Sequence, residues 1–281
     1  MSQINGSIVL YHSDENVVIR AIKSFFQSKL SRTLFLIDNS SDDGLKRLEK
    51  LNSKIKYIFT GKNFGHGRAH NIALKKSVEE HVKYHLILNP DVYFEEGVLE
   101  ELYDFMEKNP DVGLVMPKVL FPDGSVQYLC KLLPTPFELF RRRFLNFGVF
   151  KKMNEKKDYV FELRFTEYKE IMDVPFLSGC FMFIRTEVLK HIGFFDEIFF
   201  LYFDDTDLSR RIHQVSRTVF YPYVHIYHDW RRGSYKSFKL LFYHIKDAIH
   251  YFNKWGWFFD KERKEINKKI LEKLKNSNCL L

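Results

Sequence analysis

The sequence predicts an α/β fold: a mostly parallel central sheet flanked by helices, with a helical extension at the C-terminus. Three observations predict it. Short, continuously apolar segments alternate with helical periodicity over residues 4–116. Three successive apolar segments end in carboxylate- or glycine-rich loops, at Asp38, at 61–71 and at Asp91. Residues 235–275 carry apolar residues at helical spacing, with Lys and Arg on the polar faces.

The elements follow in order. Residues 4–11 are an apolar run ending in the polar HSDEN, a strand and its loop. Val17, Ala21, Ile22, Phe25 and Phe26 mark a helix within 16–30. Leu34 to Ile37 form a second buried strand, stopped by the polar turn DNSSDDG (38–44), and a helix is expected over 45–52. Ile55 to Thr60 is a third strand, followed by GKNFGHGRAHN and a helix from about Ala69 to Glu80. Tyr84 to Leu88 is a fourth strand ending at Asn89-Pro90-Asp91, before a helix at 97–108 and a strand at 112–116. Beyond 117, prolines and Asp123-Gly124 punctuate what reads as a loop-rich insertion. Alternation from Val219 to Tyr227 predicts a last strand ending at His228. Residues 1–234 therefore read as one α/β domain with halves 1–117 and 118–234, and 235–281 as a basic amphipathic helical segment.

Composition bounds the function. The 281 residues are 45% hydrophobic and 28% charged, which excludes a disordered or collagen-like chain. Cys130, Cys180 and Cys279 fit no disulfide framework or zinc knuckle, so a reducing compartment is expected. The N-terminus lacks the pattern of a signal peptide, and no window reaches a membrane span, so a cytoplasmic location is expected. The net charge of +8 sits entirely in residues 231–281, which hold 13 Lys/Arg against 5 Asp/Glu. A second basic cluster, Arg141 to Arg143 with Lys151, Lys152, Lys156 and Lys157, is threaded by Phe137, Phe140, Phe144, Phe147 and Phe150. Such interleaving suits anionic lipid headgroups, nucleic acid, or a solvated helix face over core aromatics. No recognised nucleic-acid module is present, so nucleic acid is not an expected partner.

Five constellations carry candidate chemistry. Asp38, at a strand end, can accept from a ribose hydroxyl or a base N–H, or serve as a plain turn. The glycines of 61–71 let backbone N–H groups approach phosphate, and Arg68 adds charge. Asn89-Pro90-Asp91 offers a carboxylate to a hard divalent cation. In Phe203-Asp204-Asp205-Thr206-Asp207, three acids in four residues repel one another, which suits a general base or an N-cap. His228 can ligate a metal, and Arg231 or Arg232 can hold phosphate.

In this order the five resemble a family-2 inverting glycosyltransferase of the GT-A, Rossmann-like nucleotide-binding fold, most closely the rhamnosyltransferase-like enzymes of bacterial O-antigen and capsule assembly. The resemblance covers about residues 4–255. DNSSDDG matches the family's D-N-x-S-x-D-G, NFGHGRAHN its N-x-G-x-G-x-A-x-N, and Asn89-Pro90-Asp91 stands at its D-x-D or N-P-D. GFFDEIFFLYFDDTDLSRR (193–211) follows G-x-F-D-E-x-F-F-x-Y-x-E-D-x-D-L-x-x-R, and His228 with Ser234 its H-x(5)-S. Asp204 replaces the usual Glu, and Asn89 the first acid of D-x-D.

The resemblance implies Asp205 as the base, supported by Asp204, Asp207 and Ser234. It implies Mg²⁺ or Mn²⁺ on Asp91 and His228. Tyr11, Asp38, Asn63, Arg68, Asn89 and Arg231 would bind a nucleotide diphosphate sugar, a dTDP- or UDP-sugar. The acceptor would be a lipid-linked glycan, and the enzyme peripheral on the inner face of the cell membrane, against anionic lipid. Two other classes compete. A sugar nucleotidyltransferase would usually carry a Gly-rich basic loop after the first strand, where this chain has HSDEN. An inactive glycan- or partner-binding module on the same fold would not need Asp91, Asp205 and His228 together.

Overall fold

The computed structural model describes residues 3–144, 150–229 and 238–278. The first half runs β1 (Ile4–Leu10), α1 (Glu15–Gln27), β2 (Ser31–Asp38), β3 (Ile55–Phe59), α2 (His66–Glu79), β4 (Tyr84–Leu88), β5 (Val92–Tyr93), α3 (Val98–Lys108) and β6 (Val112–Leu120). The second half adds α4 (Pro136–Phe144), α5 (Phe150–Phe161), β7 (Met172–Asp173), β8 (Phe181–Arg185), α6 (Thr186–Ile192), α7 (Asp204–Val215), β9 (Arg217–His228), α8 (Phe238–Trp255) and α9 (Lys261–Asn278).

One sheet holds the strands in the order β3-β2-β1-β4-β8-β6-β9-β5, with β7 on β9. The β1, β2, β3 and β4 ladders and the β6–β9 ladder are parallel. β8 runs antiparallel to β4 and β6, and the two-residue β5 and β7 run antiparallel to β9. β2 shows why its run is apolar throughout. Leu34 and Leu36 share a core with Val18, Ala21, Ile22 and Phe25 of α1, while Phe35 and Ile37 meet Ala69 and Ala73 of α2. A strand buried on both faces has no polar side to show.

This topology builds the site. β1, β2, β4 and β9 point the same way, so their C-terminal ends share one rim, where open α/β sheets bind ligands. β5 leaves the Asn89-Pro90-Asp91 turn and pairs Val92 with His228, which sets Asp91 beside the end of β9.

Several local expectations are corrected. The helix expected over 45–52 is a 3-10 helix, Lys46–Leu51. α1 starts at an Asp14 cap and stops at Ser28, whose hydroxyl accepts from the Leu30 amide. α2 begins three residues earlier than expected, because Gly65 turns the chain at φ +86° and His66 N–H donates to Phe200 O at 2.8 Å. The 118–170 segment is not loop-rich throughout. Pro136, at the first position of α4, follows a Thr135 hydroxyl that accepts from Glu138 N–H at 3.0 Å. Two arginines of the basic cluster turn inward: Arg141 is fully buried against Glu138 and Asp158, and Arg142 bonds Glu162 at 2.5 Å. Lys152, Lys156 and Lys157 remain exposed.

α8 and α9 pack on the rest of the protein. Asp207 accepts from Trp255 Nε1 at 2.8 Å and pairs with Lys254 and Arg211. Arg210 forks onto Asp260 at 2.7 and 2.8 Å and lies 4.0 Å above the Trp255 ring. Tyr251 and Phe252 close a second core with Phe199 and Phe203.

Candidate active site

At the rim, a cleft of about 490 Å³ is lined by Tyr11, Asn39, Asn63, Gly65, His66, Asn89, Asp91 and Phe200, with Lys239 and Tyr243 from α8. A second cavity of about 290 Å³ holds Asp205 with Lys131, Arg142, Phe176, Tyr202 and His244. Leu201 lines both. Between them lies the buried Cys180, whose thiol is pushed up to about 12 by burial first and then by the charges of Asp91 and Asp205. The Asn89 amide bonds Cys180 O at 2.9 Å, which locks the turn to β8.

The wall between the cavities is the segment 200–202. Asp247, fully buried on α8, accepts from the amides of Phe200, Leu201 and Tyr202, the bonds to Leu201 and Tyr202 at 2.9 and 3.0 Å. A carboxylate in a nest of consecutive amides fixes that backbone. The chain then turns through Phe203, at φ +64°, into α7.

Asp204, Asp205 and Asp207 occupy the first turn of α7 and none is its N-cap, which is Phe203. The helix dipole favours carboxylates there. Asp205 Oδ2 accepts from Gly179 N–H at 2.9 Å, and Oδ1 from Thr206 N–H at 2.7 Å. Burial, then the neighbouring Asp204, raises the Asp205 pKa, with Gly179 N–H working against them. Asp204 turns away to His66 Nδ1 at 2.7 Å. Burial alone would depress His66; the carboxylates of Asp204 and Asp205 instead hold it above the ordinary histidine value. His66 lines the cleft, so this ring links the acidic helix to the rim cleft.

Asp91 and His228 meet at the other side of the cleft, with His228 Nε2 3.4 Å from Asp91 Oδ1. Gln127 Oε1 lies 3.0 Å from His228 Nδ1, and Gln127 Nε2 donates to His228 O at 2.7 Å. An amide oxygen on Nδ1 fixes that nitrogen as the donor and turns Nε2 toward Asp91, as in a histidine oriented to bind a metal through Nε2. The Asp91 carboxylate and the His228 imidazole are donors of the kind that would hold a divalent cation. No group of three or more His, Cys, Asp or Glu converges on a metal position among the described residues.

The motif residues divide by role. Asn63 Oδ1 accepts from Gly65 N–H at 2.8 Å and shapes the loop. Asn71 clamps Phe195 through both backbone groups, at 2.9 and 3.0 Å. Asp38 is buried, with Oδ1 on Ser40 N–H and Oδ2 on Tyr57 OH at 2.6 Å, and it lines neither cavity; Asn39 lines the cleft beside it. Arg68 is corrected as a cleft residue. Two helix positions beyond His66, it points about 200° around α2, pairs with Glu197 at 3.1 Å and lies over Phe64. Asp207 holds α8 rather than touching either cavity. Arg231 and Ser234 lie outside the described residues. Sequence patterns missed His66, Lys239 and Asp247, and the only local signal among them was His66 within the Gly-rich loop.

A model of the family described as Glycosyl transferase family 2 matches residues 7–193, ending before Asp205 and His228. The N-acetylglucosaminyl-diphospho-decaprenol L-rhamnosyltransferase of Mycobacterium tuberculosis is 26% identical over 209 residues, 70% of this chain and 66% of that protein. The chain spans about two thirds or less of the length of the curated relatives it matches. S. aureus TarS superposes with a TM-score of 0.60 at 15% identity, covering 98% of this chain and 43% of that one. The mannosyltransferase PcManGT of Pyrobaculum calidifontis, solved with GDP-Man and Mn²⁺, gives 0.54 at 16% identity, over 82% of this chain and 58% of that one. At these identities the likeness shows the fold, which is that of GT-A glycosyltransferases.

Proposed function

The chain belongs to glycosyl transferase family 2, and from that premise we propose that it transfers a rhamnose-like sugar from a nucleoside diphosphate donor to a hydroxyl of a growing bacterial surface glycan, with inversion. What supports this most is the pairing of a buried carboxylate of raised pKa, Asp205, with an adjoining rim cleft lined by Asp91, behind which His228 lies 3.4 Å away. The rhamnosyltransferase and the GDP-Man complex among its likenesses favour the same chemistry. Hydrolysis of a panel of nucleotide sugars, without acceptor, tests it: one dTDP- or UDP-sugar should be cleaved well above the rest. Equal inertness toward all would contradict the proposal.

The roles follow from position. Tyr11, Asn39 and Asn63 border the base and ribose end of the cleft. Asp205 takes the proton of the acceptor hydroxyl as that oxygen bonds the sugar C1 and the C1–O bond to the diphosphate breaks. Lys239 is the one lysine or arginine lining the cleft among the described residues, and it replaces Arg68 as the cation for the leaving phosphates. Asp91 and His228 would hold Mg²⁺ or Mn²⁺, which when bound neutralises charge on the leaving diphosphate. Activity should vanish in EDTA and return with either ion, and Asp91→Ala should weaken metal and nucleotide binding together, read by calorimetry. Full activity in chelator would remove the metal from the proposal.

We place the enzyme at an anionic membrane surface. No described helix is long and apolar enough to cross a membrane. On α8, Phe238, Phe242, Ile245 and Ile249 form one exposed stripe, spaced 4, 3 and 4 residues apart, with Lys246 on its flank. Phe258 and Phe259 are exposed just beyond it. Each Lys or Arg near such a surface contributes about 1 kcal/mol, screened by salt. Co-sedimentation should be strong with anionic liposomes at low salt and lost with neutral ones or at high salt. Binding indifferent to both would contradict this surface.

A further inference from the structure

The cavity that holds Asp205 also holds two cationic side chains, and donor chemistry accounts for neither. Lys131 is fixed by its backbone: its N–H donates to Phe176 O at 3.0 Å, and the preceding amide is held by Tyr168 OH. Its ammonium lies 5.4 Å from the Phe176 ring centre, and among the described residues it forms no ion pair. Arg142 reaches the same cavity from α4. Its Nη2 is satisfied by Glu162, but its Nη1 is buried without a hydrogen bond, with Asp158 at 3.4 Å. Two half-buried cations thus share one small space, the Lys131 ammonium without an ion pair among the described residues and Arg142 with one nitrogen that makes no hydrogen bond. Burial, and then Arg142, work against the charge on Lys131. An anion entering the cavity would satisfy both groups.

We propose that Lys131 and Arg142 form an anion subsite for the acceptor, which takes the phosphate joining the acceptor sugar to its carrier and so presents the sugar hydroxyl to Asp205. This rests on the glycosyltransferase proposal and names its acceptor class: a glycosyl phosphate ester rather than a neutral glycan end. The surroundings favour a lipid carrier over an acidic sugar. α4 and α8, which both line the cavity, carry the exposed Phe137 and the exposed stripe of Phe242, Ile245 and Ile249. A phosphate held between them leaves its chain against apolar side chains.

Farnesyl diphosphate is the probe, titrated by calorimetry in EDTA so that no metal holds it in the donor cleft. Wild type should bind it, Lys131→Met should weaken binding about tenfold to a hundredfold, and Lys131→Arg should restore most of it. Asp91→Ala, in the donor cleft, should bind it like wild type. Farnesol and octyl glucuronide should not bind. Unchanged binding by Lys131→Met, no binding by wild type, or loss of binding in Asp91→Ala would overturn the subsite. Tight binding of octyl glucuronide would make an acidic sugar the ligand and overturn the phosphate assignment. Nucleotide-sugar hydrolysis is read separately on wild type, and its failure would fall on the glycosyltransferase proposal, not on the subsite.

Discussion

Asp205→Asn should lower transfer by about 10²- to 10⁴-fold and leave donor affinity nearly unchanged. The substitution keeps the size of the side chain and an oxygen for Gly179 N–H, so the start of α7 should hold its shape. It replaces the other oxygen, which accepts from Thr206 N–H, by an NH₂ and removes the ability to take up a proton. Burial and Asp204 both lift the Asp205 pKa, which strengthens it as a base but makes it protonate earlier. In wild type, kcat/KM should therefore fall as pH drops through that raised value, with an acid limb above the ordinary aspartate range. The residual activity of Asp205→Asn should lack this limb. Donor binding by calorimetry and transfer rates across pH check both halves. If Asp204→Asn were inactive and Asp205→Asn normal, the base would be Asp204, despite its bond to His66.

Gly65→Ala should be as damaging by a different route, through structure. Gly65 sits at φ +86° and ψ −176°, a region essentially confined to glycine, so alanine costs about 1–3 kcal/mol in backbone strain alone. An added Cβ would also lie 2.1 Å from Phe200 O. That oxygen cannot retreat freely, because Phe200, Leu201 and Tyr202 are tied to Asp247. Relief must break either the His66 N–H bond to Phe200 O or the Asp247 nest. The total should reach about 3 kcal/mol or more in denaturant unfolding. The segment walls both cavities, so donor binding and transfer should fall together. A Gly65→Ala protein of normal stability and activity would show that this contact does not position the wall.

What the sequence could reveal follows from how local each feature is. The apolar run of β2 and the alternation with helices made the parallel half legible, since burial on both faces leaves a pattern within one segment. Asp91 and His228 were legible as strand-end residues, and the short β5 explains why they meet. Arg68 was misplaced because its direction depends on where α2 begins, and that is set by Gly65 against Phe200, a contact across 135 residues. Asp247 was invisible for the same reason. A lone acid in a basic helix has no local sign that it holds three amides 45 to 47 residues away. Arg141 and Arg142 read as surface charge because their acidic partners Asp158 and Glu162 become neighbours only when the chain folds back through α5.

The anomeric configuration of the product, read by NMR after transfer from a donor of known configuration, tests single displacement at Asp205 most directly. Inversion, with no sugar covalently attached to the protein during turnover, is the expected result. A product that keeps the donor's configuration would contradict a mechanism in which Asp205 acts only on the acceptor's proton.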